Sequence, residues 1–235
     1  MAVPAVSAIA AVMVLGTASG RAVAKVPSVS ACAKQNAPST NAGAPPAALL
    51  SIVGVLRGPP TPPPAWLLER PILRLDSNLY VNYVRFARAA FGARYYVYVA
   101  GPFAALMHDC QTTVGVHLFG VTADGGFAFG AASAARIEQS GDWGSTSSGT
   151  GANPGVTLFS GVVPDGVATV TLHYPAGKIG GFSRRKGPAV TIKAHVINNV
   201  VVVKVPRAGE QATSAVTTTW HAANGTTIKT IHGGL

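Results

Sequence analysis

The chain is 235 residues long, 48% apolar and only 11% charged, and its formal net charge of +10 comes from eighteen Lys and Arg set against eight Asp and Glu. That apolar content suffices for a core and excludes a wholly disordered chain, and the wealth of Ala, Gly, Pro, Val and Thr suits short strands and turns better than long charged helices. A surface so poor in carboxylates attracts polyanions without selecting among them.

Residues 2–18 are uncharged and end in small residues, as the core of a secretory signal does, and Ala22-Val23-Ala24 offers a small-x-small cleavage site. A signal peptide over 1–24 is expected, although no Lys or Arg precedes the apolar run. The run is slightly short of the roughly 20 residues of a spanning helix, and Pro4 shortens it further, so a membrane association requires that the segment stay uncleaved. Cys32 and Cys110 both follow the cleavage site, and an even count in an oxidising compartment reads as a disulfide. Val29-Ser30-Ala31-Cys32 also resembles a bacterial lipobox. A lipobox adjoins its apolar core directly, whereas Arg21, Lys25 and Pro27 intervene here.

Residues 25–46 read as a mobile leader, and 47–139 as a small α+β region. After Pro46, Leu49, Ile52, Val53 and Leu56 share a helical face that Gly58 can cap. Pro59 to Pro64 cannot continue the helix and form a rigid connector or, alternatively, a Pro-rich ligand, leading to Trp66-Leu67-Leu68. Leu79 to Arg88 and Arg94 to Val99 flank Gly92 as a β-hairpin, the first arm also fitting a helical stripe. Val114, Val116 and Leu118 share a strand face, followed by an Asp124-Gly125-Gly126 turn, a strand with Phe127 and Phe129, and a short helix over 131–139.

Residues 140–155 are Gly, Ser, Thr and Asn around Trp143 and read as a long exposed loop and domain boundary. From 156 to 235 the pattern predicts strands at Val156–Ser160, Val167–Tyr174, Val190–Ile197, Val200–Val205, Ala215–His221 and Thr226–Ile231. Asp165-Gly166, Asn198-Asn199 and Asn224-Gly225 supply turns. Ala168, Val170, Leu172 and Tyr174 alternate with Thr169, Thr171 and His173, so one face is apolar and the other polar. The fold class expected is mainly β, α+β in the N-terminal half, with a C-terminal immunoglobulin-like β-sandwich of about six strands.

No segment matches a nucleophile elbow, a Walker loop, a dinucleotide-binding glycine pattern or a zinc-protease helix. The eight carboxylates are scattered, against the positioned pairs that glycosidases need. Asp124 and Asp165 precede Gly, where the side chain is expected to bond local backbone. In His108-Asp109-Cys110 a histidine stands near a thiol whose pKa it could lower, but Cys110 reads as the partner of a structural disulfide. His173, His195 and His221 fall in expected strands without close ligand spacing, and no metal or cofactor is assigned. Asn224-Gly225-Thr226 fits the glycosylation pattern. Arg184-Arg185-Lys186, flanked by Lys178 and Lys193, is the one dense basic cluster, either a solvated loop or a polyanion contact. No aromatics interleave with it, which argues against single-stranded nucleic acid.

Tyr80-Val81-Asn82-Tyr83-Val84-Arg85, Tyr95-Tyr96-Val97, Val163-Pro164-Asp165-Gly166-Val167 and Asn198-Asn199-Val200 resemble uncharacterised exported proteins of high-GC actinobacteria. The resemblance implies a bacterial, extracytoplasmic location and carries no activity or functional residue. The expectation is thus a secreted or envelope-associated protein of binding or scaffolding role, meeting an anionic envelope polymer or another exported protein. The alternatives are a polyanion-binding surface protein acting through the Arg184-Arg185-Lys186 loop on teichoic-acid-like polymers, nucleic acid or anionic lipid, and an enzyme whose site assembles only in the fold, around His108 or the strand histidines.

Overall fold

The computed structural model describes residues 40–63, 79–101, 114–123, 125–128, 132–146, 157–178, 186–205 and 216–233. The signal segment 1–24, both members of the expected Cys32–Cys110 bond, His108-Asp109-Cys110, Trp66-Leu67-Leu68 and Arg184-Arg185 lie outside the described residues. Among those described, the chain is mainly β. No described helix is long and apolar enough to cross a membrane.

The stretch read as a leader is engaged at its end. Strand β1 (Thr40–Asn41) pairs in parallel with β2 (Leu79–Tyr80), and the Asn82 side-chain amide donates to the Ala42 carbonyl at 3.2 Å. Helix α1 spans Ala47–Ile52, and a 3-10 turn over Gly54–Arg57 continues it. The expected stripe is buried, with Leu49, Val53 and Leu56 in one core, while Gly58 leaves the turn in an extended conformation.

Four antiparallel strands follow in the order β3-β4-β5-β6: β3 (Arg85–Ala90), β4 (Ala93–Ala100), β5 (Gly115–Thr122) and β6 (Gly125–Ala128). Phe91 and Gly92, both at positive φ, make the two-residue turn between β3 and β4. The ambiguous first arm divides into β2, a 3-10 turn at Val81–Tyr83 and β3. Gly125 and Gly126, expected in a turn, pair as strand with Thr122 and Val121. Helix α2 (Ala134–Ser140) is capped by the Ser133 hydroxyl at its start and by Gly141 at φ 74 at its end.

The remaining long strands are β7 (Asp142–Thr146), β8 (Thr157–Val162), β9 (Thr169–Tyr174), β12 (Val190–His195), β13 (Val200–Val205), β14 (Thr217–His221) and β15 (Thr227–His232). A small ladder, β10 (Gly177–Lys178) with β11 (Lys186–Gly187), lies in the β9–β12 connection. The long strands form two antiparallel sheets, β13-β8-β7 and β12-β9-β14-β15. Strand β7 corrects the reading of 140–155 as loop from its start. Trp143 sits opposite Gly161, where a Cβ would lie 2.7 Å from the indole. The absent side chain lets the ring cover the neighbouring strand.

The middle sheet is buried on both faces. Phe159, Val201, Val203 and Val205 join Val170, Leu172, Tyr174 and Trp220 in one core. Val162, Val200 and Val202, of opposite parity, join Tyr95, Val97, Val116, Leu118 and α1 in another. Three layers of sheet therefore stack with β13-β8-β7 at the centre, which is why Val200–Val205 reads as an unbroken apolar run but for Lys204.

Candidate binding face

Alternation puts every second residue of β12-β9-β14-β15 on the side away from the core. The cross-strand registers then define three rows on that outer face. The first is Thr191, His173, Thr217, His232; the second Lys193, Thr171, Thr219, Thr230; the third His195, Thr169, His221, Thr227. These twelve positions hold seven threonines, four of the chain's six histidines and one lysine. None is apolar and none is acidic. His173, His195, His232, Lys193 and Thr191 are exposed, and His221 is half-buried.

The arrangement arises from a short pattern that each strand repeats. Strands β9, β12 and β14 read Thr-x-Thr/Lys-x-His at 169–173, 191–195 and 217–221, and β15 reads the same with one residue inserted, 227–232. A bulge at Trp220/His221 absorbs the insertion. Because neighbouring strands run antiparallel, the histidines alternate between opposite ends of the sheet. His195 and His221 flank Thr169, and His173 and His232 flank Thr217, each pair about 10 Å apart at two strand spacings.

Threonine hydroxyls hold the rings. His173 Nδ1 meets Thr191 Oγ1 at 2.9 Å, His221 Nε2 meets Thr171 Oγ1 at 3.2 Å, and His232 Nδ1 meets Thr217 Oγ1 at 3.3 Å. His173 and His195 thus stand on the polar face as alternation predicts. The sequence reading missed His232 and the cross-strand rows, although the fourfold pattern was available as a signal. Among the described residues no three His, Cys, Asp or Glu come close enough to hold a metal ion.

Of the basic residues expected at 178–193, the structure describes Lys178, Lys186 and Lys193. Lys193 stands in the central row, and Lys178 and Lys186 are Cα partners in the β10–β11 ladder beyond the Val190/Tyr174 end.

Asp165 serves the fold. Asp165 bonds distant residues rather than the local backbone expected of it. Its Oδ1 accepts from the Gly54 N–H at 2.7 Å and the Asn199 side-chain amide at 2.8 Å, and its Oδ2 accepts from Arg57 at 2.7 Å. Asn199 in turn accepts from the Val55 N–H at 2.8 Å and donates to the Val163 carbonyl at 3.1 Å. The two side chains clasp α1 and its 3-10 turn to the β8–β9 and β12–β13 connections. These hydrogen bonds and the Arg57 charge outweigh partial burial and hold the Asp165 carboxyl below its ordinary range. Asp142 is the opposite case. Buried at 5% exposure with no partner for Oδ2, and 3.8 Å from the exposed Arg136, its carboxyl is pushed up to about 6 by desolvation.

Two further polar groups are structural. His117, 1% exposed, stacks on Tyr98 at 4.7 Å, and burial pushes it down to about 3, so it is neutral. Arg85 borders an open cavity of about 370 Å³ beside Leu56 and Tyr83, but its guanidinium donates to the carbonyls of Asn82, Val84 and Leu56, tying two 3-10 turns together. Comparison of the chain with protein-family models, curated proteins and solved structures gave no match.

Proposed function

We propose that this chain is an exported, non-catalytic binding module of the bacterial envelope or exterior, built on an immunoglobulin-like sandwich. One observation carries the reading: the outer face of the β12-β9-β14-β15 sheet is a continuous grid of Thr, His and Lys. The described carboxylates occupy none of these positions, and Asp165 is engaged in structural hydrogen bonds. A hydroxyl–imidazole pair of the triad kind needs a carboxylate to orient its base, and none of the twelve positions is acidic.

The strand order supports the sandwich. Seven long strands form sheets of three and four around a shared core, and the first, second and fifth of them pair with one another. The fourth, β12, pairs with the third rather than the fifth, a departure from the constant-domain arrangement. Export rests on the signal-like segment 1–24 and on the resemblance to exported actinobacterial proteins. A Cys32–Cys110 disulfide belongs to the same proposal.

The ligand class favoured is a polyanion, on Lys193 in the grid and the Lys178–Lys186 pairing of the hairpin beside it. Co-sedimentation of the purified chain with anionic cell-wall polymer and with DNA across a salt series tests this, beside the Arg184→Ala/Arg185→Ala/Lys186→Ala variant. Binding that weakens with salt and drops in the variant is expected. Absence of binding at low salt refutes the polyanion and leaves a protein partner.

A further inference from the structure

A solvent-facing sheet needs polar, strand-favouring residues, and threonine meets both demands. Strand propensity does not, however, call for a histidine closing the pattern in each of four strands. Those four imidazoles reach one surface only because β9, β12, β14 and β15 pair in this order. Histidine is the side chain whose charge ordinarily changes between about pH 5 and 8.

Among the described residues, the charged and titratable groups around the quartet are few. On the outer face itself they are His173, His195, His221, His232 and Lys193. From β3, the Arg88 guanidinium reaches the His195 carbonyl at 2.9 Å. Lys229 of β15 points to the other side, donating to the Glu138 carbonyl and lying over the Trp220 ring. The described carboxylates, Glu138, Asp142 and Asp165, occupy none of the twelve positions. None of the twelve positions therefore holds an anion.

The hydroxyls limit what such a face suits. Threonine presents both donor and acceptor, matching a hydroxylated polymer, while the cations match ester oxyanions. No aromatic side chain stands among the twelve positions, so the platform on which nucleic-acid bases stack is missing. Resting on the binding-module reading above, we infer that this face docks a polyol polymer bearing phosphate esters. The histidine quartet tightens that binding as the medium acidifies.

The test is equilibrium binding of the purified chain at fixed ionic strength, at about pH 5.5 and about pH 7.5. A glycerol-phosphate polymer and heparin are the two ester probes, with neutral dextran and duplex DNA beside them. The expected result is about tenfold tighter binding to the glycerol-phosphate polymer at the lower pH, without binding to dextran, and a preference for heparin overturns the choice of occupant. The quadruple variant His173→Gln/His195→Gln/His221→Gln/His232→Gln is expected to lose the increase at the lower pH. The pair His195→Gln/His232→Gln, both exposed, gives a partial loss should the quadruple variant fail to fold by circular dichroism. Arg184→Ala/Arg185→Ala/Lys186→Ala is expected to bind more weakly but retain the pH response. A pH response that survives in the folded histidine variants overturns the inference, as does DNA binding equal to that of the polymers. Binding that is pH-independent and lost with the hairpin variant overturns this inference while leaving the binding module standing. Absence of binding to every probe at both pH values refutes the inference and the polyanion reading together.

Discussion

Replacing Asp165 with alanine removes the acceptor on which the clasp between α1 and the β-layers depends. Three donors lose it: the Gly54 N–H at 2.7 Å, the Asn199 amide at 2.8 Å and the Arg57 guanidinium at 2.7 Å. A hydrogen bond to a charged group contributes about 1.5–3 kcal/mol when buried. Here the Asp165 and Arg57 side chains are 38% and 51% exposed, so their ion pair contributes less than about 1 kcal/mol. The two amide donors stand at the low end of the range, giving a total cost of about 2–4 kcal/mol. For a chain of this size the corresponding fall in Tm is about 6–12 °C. Urea denaturation followed by tryptophan fluorescence measures the cost, with Asp165→Asn expected to fall between wild type and alanine. The pH dependence has a definite sign. The folded carboxyl is held below its unfolded value of about 3.9, so its contribution is full above that value and lost as pH falls through the folded one. The difference between wild type and Asp165→Ala should therefore shrink in acid. A cost below about 0.5 kcal/mol at neutral pH, or a difference that grows in acid, refutes the reasoning.

Asp142 should show the reverse slope, since its folded value of about 6 lies above the unfolded one. Its contribution is full below about pH 4 and lost as pH rises through about 6, so Asp142→Asn should be more stable than wild type by about 1–2 kcal/mol at pH 8, with the gap closing near pH 4. Denaturation at a series of pH values checks it, and a gap that does not depend on pH contradicts the assignment. Gly161→Ala places a methyl 2.7 Å from the Trp143 ring and 2.8 Å from the Asp142 carbonyl, and overpacking of this kind costs about 1–3 kcal/mol. A thermal midpoint unchanged from wild type would show that Trp143 does not cover Gly161.

Local patterns carried much of the architecture. Alternation in Thr169–Tyr174, positive-φ residues at Asn198-Asn199, and the short stripe Leu49, Val53, Leu56 each describe one element and its buried side, and neighbouring residues decide such matters. Strand β7 escaped because its Gly, Ser and Thr composition matches a loop, and only pairing with β8 makes Asp142–Thr146 extended. Gly125 and Gly126 escaped for the same reason: a partner strand, not propensity, orders them.

The sequence by itself determined the β-rich class, the cationic balance, the identity of the polar face at His173 and His195, and the strand at Val200–Val205, all properties set within a few residues. Tertiary structure alone decided that this strand lies at the centre of three layers, because burial on both faces depends on what packs against each. It decided too that Asp165 serves Gly54 and Arg57 more than a hundred positions away, a bond that closes only once the loops meet. The histidine grid belongs to both levels. Its pattern is written four times in the chain, but side chains on separate strands become neighbours only through register, and register is fixed by which strands share a core.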